Sequence, residues 1–416
     1  MFTATADLIL PTTVTGSWPR PRWFDGRLDG KSVSTRMKDL VFREQFTDAL
    51  AAVLAEQEQA GLDIMNHGDY FHDEDIGGHQ WLRYPLERWS GLSGDHPRIS
   101  ADLPDYQAGT ILNEVFAAAR WPHVVDKVGP SEDTPLEYAK IWRLAQSRTN
   151  KPLKFGTVCA GGLYPFLTIK DGYDPDNRRE LIWDLTTAMN QELRSLAEAG
   201  CKVIQIEEPH LHYIAMYHPE RTDLIDFFVD AFNNEVAGLD DVEVWVHTCW
   251  GNPAMQRGMD DVSYANSVEI YLERLNADVW TVEMKDARGA ELNLFEPYKD
   301  TMKKKVAVGV VSHRNLQVET PDEVADMTRE ALRYINPQNL ILSTDCGFGR
   351  QGASRLIAFH KATSIARGAN IVRTELGAEQ TYVPAEDASF QVDVLPRPEA
   401  GQMQYVGLGE PSKVPS

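Results

Sequence analysis

Residues 177–209, NRRELIWDLTTAMNQELRSLAEAGCKVIQIEEP, contain the pattern that decides the fold. The first part of this stretch repeats apolar side chains every three or four residues, which predicts an amphipathic helix. Its closing Ala-Gly pair is typical of a helix C-cap before a strand. A short run rich in β-branched residues then predicts a strand over 202–207, ending at the acidic Glu207. This order predicts one unit of an α/β fold.

The same alternation extends along most of the chain. Three of the predicted helices end in Ala-Gly shortly before the next strand, and eight strands are predicted, at 12–17, 62–67, 153–159, 202–207, 242–248, 278–283, 306–312 and 339–345. Eight such units predict a closed (β/α)8 barrel, the TIM barrel, whose reactive groups lie at the carboxyl ends of the strands. An open doubly wound sheet would carry a Gly-rich phosphate turn after an early strand, and none is present there.

The predicted domain organisation is one barrel over residues 1–375 with two regions outside the repeat. An insertion over 70–150 follows the second strand, and it includes a predicted strand at 123–129 and a predicted helix at 136–147. Long insertions on this face commonly form lids. The tail over 376–416 is rich in Pro and Gly, which predicts an extended arm, a contact with a second subunit, or disorder at its end. A homo-oligomer therefore remains an open alternative.

The composition excludes several classes of function. The 416 residues include 41 Lys and Arg against 62 Asp and Glu, for a net charge of −21. Nucleic acid and anionic membranes are poor partners for such a surface. No secretory signal and no long apolar run is present, which predicts a soluble, cytoplasmic protein. Four cysteines in this length do not make a disulfide framework, and Cys159 and Cys201 are predicted to be small buried residues.

Two predicted strands end in soft metal ligands. His247 and Cys249 close VEVWVHTCW, and Cys346 closes NLILSTDCGFG. Residues i and i+2 of a strand point to the same face, so His247 and Cys249 can reach one ion. Thiolates with imidazole favour zinc over hard cations. Structural zinc sites usually have closely spaced Cys-x-x-Cys pairs, so ligands from separate strand ends predict a catalytic ion.

A third predicted strand, ADVWTVEM, ends at Glu283. A carboxylate is a weaker ligand than a thiolate, and it could exchange for an incoming thiol; Asp286 nearby could serve in its place. At neutral pH only about 3% of a free thiol is ionised, and zinc would hold it as the nucleophilic thiolate. The sequence therefore predicts a zinc enzyme that activates a thiol.

Seven motifs now assembled resemble the catalytic barrel of cobalamin-independent methionine synthase, over nearly the whole chain to about residue 375. They are TTVTGSWP, LDIMNHGD, VIQIEEP, VHTC, TVEM, VGVVSH and STDCGFG. The resemblance implies four zinc ligands, namely His247, Cys249, Glu283 and Cys346. It also implies that Ser17 holds the carboxylate of homocysteine and that Asp69 and Glu207 lie near its amino group. His313 would be the acid or relay beside the methyl donor.

The chain departs from that family at informative positions. The family typically has Glu where this chain has Asp69 and Asp where it has Glu207, which leaves the thiol acceptor open. The duplicated amino-terminal barrel is missing, and CAGGLYPF stands where a tryptophan-bearing folate segment is expected. A conventional polyglutamyl folate site is therefore not predicted. The chain is similar to short single-barrel forms that take a methyl group from a corrinoid.

The predicted function is zinc-dependent transfer of a methyl or small alkyl group to a thiol, with homocysteine, giving methionine, as the leading acceptor. One alternative is an epoxyalkane:coenzyme M transferase-like reaction, which needs a cationic patch for a sulfonate. Arginines near the strand ends could supply it, namely Arg20, Arg22, Arg288 and Arg314. A non-enzyme alternative is a structural zinc-binding module. Ligands on three separate strand ends argue against that alternative.

Overall fold

The protein is described by a computed structural model over residues 2–73, 80–97, 109–110, 120–259, 262–349, 353–387 and 389. Its main sheet has seven parallel strands in the order β1-β4-β6-β7-β8-β9-β10. These are β1 Met65–Asn66, β4 Leu153–Val158, β6 Val203–Glu207, β7 Glu243–Thr248, β8 Val279–Val282, β9 Lys305–Val311 and β10 Leu340–Thr344. Each occurs where the sequence predicts one of strands two to eight, although β1 is only two residues long.

The first predicted strand, at 12–17, is not a regular strand. Its only ladder contact in the described part of the chain is a bridge between Thr12 and Leu342. Leu342 donates to Pro11 O at 2.9 Å, and Ile64 donates to Thr12 O at 3.0 Å, so this segment joins the two edges of the sheet and closes the barrel. Side chains replace the remaining ladder, because Asp63 Oδ2 accepts from Thr12 N at 2.9 Å. The barrel is thus confirmed, and the regular first strand was wrong.

Nine α-helices in the described residues surround or extend the barrel. They are α1 Val33–Arg36, α2 Leu40–Gln59, α3 Gln80–Leu86, α4 Tyr138–Gln146, α5 Arg179–Glu198, α6 Pro209–Tyr217, α7 Thr222–Glu235, α8 Pro321–Leu332 and α9 Arg355–Glu375. Local signals set their ends: Thr320 and Glu323 form a capping box before α8. The helix predicted over 263–275 is mostly a π-helical turn, Ile270–Arg274. No helix among the described residues is long and apolar enough to cross a membrane.

A layer of apolar side chains fills the amino-terminal end of the barrel. It is formed by Ile64, Val203, Trp245, Val279, Ala307 and Ile341, and Phe2 and Ala4 pack against it. All six are fully buried. Such layers make a TIM barrel a packed core instead of a pore. Within the described residues this layer closes the amino-terminal end of the barrel, so the carboxyl ends of the strands are the side where a ligand would bind.

A second, three-stranded sheet combines two strands of the predicted insertion with one short strand from the segment after β4. It has the order β2-β3-β5, with β2 Ser90–Pro97 antiparallel to β3 Arg120–Gly129 and β5 Thr168–Ile169 parallel to β3. The strand predicted at 123–129 is confirmed within β3, and the helix predicted at 136–147 is confirmed as α4. Residues 74–79, 98–108 and 111–119 of the predicted insertion, and most of the predicted tail, lie outside the described residues.

Candidate active site and metal centre

Three soft ligands meet at the carboxyl end of the barrel. His247 lies in β7, Cys249 follows that strand, and Cys346 follows β10. Their ligand atoms all lie within 4.8 Å of one another, and the two Sγ atoms are 3.8 Å apart. All three side chains are buried. Neither ring nitrogen of His247 has a regular hydrogen-bond partner among the described residues. Buried polar atoms rarely stay unpaired, so this donor set fits a zinc ion that completes it.

The three residues and their neighbours shift one another's pKa values. Burial lowers the pKa of His247, but the negative charges of Glu207 and Cys346 outweigh burial and raise that pKa to about 9. The hydrogen bond with Cys249 and the nearby His247 hold the pKa of the Cys346 thiol well below its usual range, against the effect of burial. The same sulfur contact, with burial, raises the pKa of Cys249. The site thus already favours a thiolate, which is the form that binds zinc.

Glu283, the fourth predicted ligand, is held by a different partner. It follows β8, is fully buried, and lies outside the group of three ligand atoms that meet within 4.8 Å. Both of its oxygens accept hydrogen bonds from the Arg314 guanidinium, which also donates to Asp286 Oδ2 at 2.8 Å. Trp250 N donates to Glu283 Oε2 at 3.1 Å. Glu283 as a zinc ligand therefore stays a prediction.

Asp345 anchors the loop that follows β8. Its Oδ1 accepts from Met284 N and Lys285 N at 2.7 Å each, and its Oδ2 accepts from Asp286 N at 2.9 Å. Oxygens of Asp286 and Asp345 also lie within 4.8 Å of a nitrogen of His313. Because backbone N–H groups already satisfy the Asp345 carboxylate, we assign it a structural role. The sequence analysis missed this residue, although a charged residue beside a predicted ligand was a usable signal.

Ser17 joins two of the loops at the site. Its carbonyl accepts from Phe348 N at 2.8 Å and from Gly349 N at 3.0 Å, next to Cys346. The following Trp18 N donates to Gly68 O at 3.2 Å, next to Asp69. The buried Ser17 Oγ has no hydrogen-bond partner among the described residues. A hydroxyl placed this way can donate to a ligand oxygen.

The two predicted acidic residues both lie beside strand ends. Glu207 ends β6, and its Oε2 is 3.6 Å from His247 Nε2. Asp69 follows β1 in the left-handed backbone region, with φ of 61°, and its Oδ1 is 3.5 Å from His67 Nδ1. Gly156 of β4 faces Asp69, since a Cβ placed there would be 3.7 Å from Asp69 Oδ1. Glu207 thus lies directly beside the metal-ligand group.

A buried lysine lies below this acidic pair. Lys154 Nζ donates to Gln205 Oε1 at 2.6 Å, and Gln205 Nε2 donates to Glu207 Oε1 at 2.6 Å. Burial lowers the pKa of Lys154 to about 7, although the charges of Glu207 and Asp69 oppose that shift. The sequence analysis missed both Lys154 and Gln205. A lysine inside an apolar strand was the available signal, since lysine is almost never fully buried without a partner.

His313 follows β9 and is almost fully buried, with 1% exposed. Burial lowers its pKa to about 3, so the ring is neutral near pH 7. Neither ring nitrogen has a partner among the described residues. A neutral imidazole has one N–H donor and one acceptor nitrogen. The role of His313 as the acid or relay stays a prediction.

The arginines considered for a sulfonate do not form a free cationic patch. Arg314 is paired with Glu283 and Asp286. Arg20 donates to Tyr70 O and lies over the Phe24 ring. Arg22 and Arg288 are exposed. The geometry therefore gives no support to the coenzyme M alternative.

The fold and the buried His-Cys-Cys group define a class of barrel protein with a candidate metal centre at the carboxyl ends of its strands. Comparisons with known proteins narrow this class. The model of the family described as cobalamin-independent synthase, catalytic domain, matches residues 113–367. The chain belongs to that family.

Curated relatives extend the match beyond the family model. Methionine synthase of Saccharolobus solfataricus is 30% identical over 370 residues, which covers 88% of this chain and 96% of the relative. Methionine synthase of Sulfurisphaera tokodaii is 27% identical over 374 residues, covering 88% of this chain and 94% of the relative. These relatives are therefore chains of similar length.

Solved structures support the fold. A B12-independent methionine synthase from Shewanella sp. W3-18-1, in complex with selenomethionine, superposes with a TM-score of 0.67 at 22% identity, covering 89% of this chain and 99% of that one. A putative B12-independent methionine synthase from Listeria monocytogenes gives a TM-score of 0.60 at 17% identity, covering 88% and 99%. At these identities the likeness concerns the architecture alone.

Proposed function

We propose that this protein is a zinc-dependent methionine synthase, which transfers a methyl group to the sulfur of homocysteine. The observation that carries the proposal is the meeting of His247, Cys249 and Cys346 within 4.8 Å at the open end of the barrel. Family membership and the methionine synthase relatives support the same reaction. These three residues would hold the zinc ion, and the ion would supply the positive charge that keeps a substrate thiol ionised.

The chain's own groups would orient the amino acid. Glu207, beside His247, and Asp69, after β1, would face the ammonium group. Ser17 Oγ, which has no hydrogen-bond partner in the described part of the chain, would donate to the substrate carboxylate. Recognition of both groups would fix the sulfur in one position, which lowers the entropic cost of reaching the transition state. We propose these roles for the predicted substrate residues.

The reaction requires one proton and one methyl group to move. The thiol loses its proton, the S–CH3 bond forms, and the donor keeps the electron pair of the bond that breaks. His313, neutral and buried beside the group, would relay the proton towards the donor or solvent. Burial of the three ligands excludes competing water from the sulfur.

We infer further that the donor is not a polyglutamyl folate held in the conventional way. The net charge of −21 is unfavourable for a polyanionic tail, and CAGGLYPF replaces the segment expected for folate. A corrinoid-carried methyl group fits a short single barrel better. The insertion over 70–150 would then act as a lid above the donor.

Turnover assays test the proposal. Zinc-loaded protein should convert homocysteine to methionine with methylcobalamin, and protein stripped of zinc should not. Methyltetrahydrofolate triglutamate should be a poor donor. Efficient turnover with the folate and none with methylcobalamin would overturn the donor assignment alone. Zinc-dependent alkylation of coenzyme M by an epoxide, with no methionine from either donor, would overturn the proposed function.

A further inference from the structure

Arg314 makes an unusual set of contacts for an arginine beside a metal centre. Its two terminal nitrogens reach both oxygens of Glu283, and they also reach Asp286 Oδ2 and the carbonyl of Gly251. Its side chain is only 15% exposed. A guanidinium fork on a buried carboxylate is among the stronger pairings in proteins. Arg314 therefore competes directly with any metal ion for Glu283.

The loop that carries Arg314 is itself fixed. Ser312 Oγ accepts from Arg314 N at 3.0 Å and from Asn315 N at 2.9 Å. Ser312 N donates to Glu319 Oε1 at 2.9 Å, and the buried Lys361 pairs with Glu319 at 2.6 Å. The backbone of Arg314 thus has little freedom, so its guanidinium stays close to Glu283.

We propose that Arg314 is a positioning residue that receives Glu283 when the carboxylate leaves the metal, so that the fourth ligand position opens to the substrate thiol. This role rests on the zinc site of the proposed function and on Glu283 as its predicted fourth ligand. A buried carboxylate displaced by a thiol would otherwise lose its only cation, which is costly. With Arg314 beside it, Glu283 has a positive partner in either position.

Asp286 lowers the free-energy cost of the opposite step, in which Glu283 leaves Arg314 and binds the metal. When Glu283 binds the metal, Arg314 still has Asp286, whose Oδ2 lies 2.8 Å from Nη1. No buried charge is left unpaired in either arrangement. Arg314 thereby shifts the balance towards the open, thiol-accepting metal, at some cost in zinc affinity.

The test measures zinc and thiol binding, without turnover. We expect Arg314→Gln to bind zinc about tenfold more tightly in a chelator competition, because Glu283 is then free to ligate. We expect the same variant, loaded with zinc, to bind homocysteine about tenfold more weakly by calorimetry. Arg314→Lys should give smaller shifts in the same directions, since it keeps the charge but loses the fork.

A double-mutant cycle separates this role from a general charge effect. In a Glu283→Gln background, Arg314→Gln should change neither affinity further. Zinc K-edge absorption at one homocysteine concentration should detect the added sulfur ligand in the wild type and less of it in Arg314→Gln. The control is Arg329→Gln, which breaks a two-nitrogen fork on Glu375 at an exposed position.

Equal effects of Arg314→Gln with and without Glu283, or no effect on either affinity, would overturn the role of Arg314. Both results leave the proposed function intact, provided that the wild type binds zinc and homocysteine. A wild-type protein that binds no zinc would instead overturn the proposed function itself.

Discussion

The two sides of the barrel mouth differ in how well their polar groups are satisfied. On the β7 and β10 side, His247, Cys249 and Cys346 face one another, and the imidazole nitrogens have no regular partner among the described residues. On the β4 and β6 side, Lys154 and Gln205 form a chain of short hydrogen bonds that ends on Glu207. On the first side, a bound ion would complete the contacts of the polar atoms. On the second side, hydrogen bonds already hold the polar groups in place to contact a substrate. The difference indicates where an ion would bind and where an organic substrate would be recognised.

The largest expected effect is loss of the metal. We expect Cys249→Ser and Cys346→Ser to be strongly depleted of zinc, because each variant replaces a soft thiolate with a hydroxyl that binds zinc poorly. Activity should fall with the metal. Metal analysis of purified protein makes the measurement, and Cys201→Ser, a buried thiol away from the site, is the control. Full zinc occupancy in both ligand variants would remove the basis for the metal centre.

The second-largest expected effect is weaker homocysteine binding, and it tests the β4 and β6 side. Glu207→Gln should weaken homocysteine binding by roughly ten- to a hundredfold, since a charge-assisted hydrogen bond to the amino group is lost. Binding of 3-mercaptopropionate, which has no amino group, should change far less. Calorimetry on zinc-loaded protein compares the two thiols. Equal losses for both would show that Glu207 acts on the metal site instead of on the amino group.

A smaller effect on stability tests the packing of β9 against Asp345, on the metal-ligand side. A Cβ at Gly309 would lie 2.0 Å from Asp345 Oδ1 and 2.7 Å from its Cα. We expect Gly309→Ala to lower the free energy of unfolding by about 1 to 3 kcal/mol. Gly129→Ala is the control, because its nearest atom would be 3.6 Å away. Urea unfolding measures the free energy of unfolding of both variants. Equal values for Gly309→Ala and Gly129→Ala would contradict the close approach of Gly309 to Asp345.

A further effect on stability is a pH dependence that comes from Lys154. Burial lowers its folded-state pKa to about 7, whereas the unfolded chain keeps the ordinary value of 10.5. The unfolded state therefore binds more protons between these values, and stability should rise with pH by up to about 1.4 kcal/mol per pH unit in that window. Lys154→Met should remove this component. Unfolding curves of both proteins from pH 7 to 9 compare the slopes, and identical slopes would mean that Lys154 is not titrating there.

Sequence patterns predict the metal ligands on the β7 and β10 side, but they do not predict the Lys154 and Gln205 hydrogen bonds on the β4 and β6 side. Period-two alternation was enough to place His247 and Cys249 together, because their geometry is local to one strand. Eight predicted βα units were enough to predict the barrel. The barrel in turn brings Cys346, from a distant strand, next to His247 and Cys249. The first strand was wrong because Asp63 and Thr344 side chains take over backbone partners of residues 12 and 15, which no periodicity reveals.

The missed residues have a common cause. Asp345 bonds to backbone groups about sixty residues away. Arg314 was named only as a partner for a sulfonate, and its pairing with Glu283, 31 residues away, was missed. Lys154 is 51 residues from Gln205. Each looks like an ordinary charged residue in the sequence, because its role depends on which loops the barrel brings together. Soft ligands, in contrast, are recognisable by residue type alone.

The most direct test of the central claim is homocysteine binding to zinc-loaded and zinc-stripped protein, measured by calorimetry in buffers of different ionisation enthalpy. The account predicts that homocysteine binds only the zinc-loaded protein and that binding releases about one proton, because the thiol becomes a thiolate. Equal affinity with and without zinc, or binding without proton release, would contradict it.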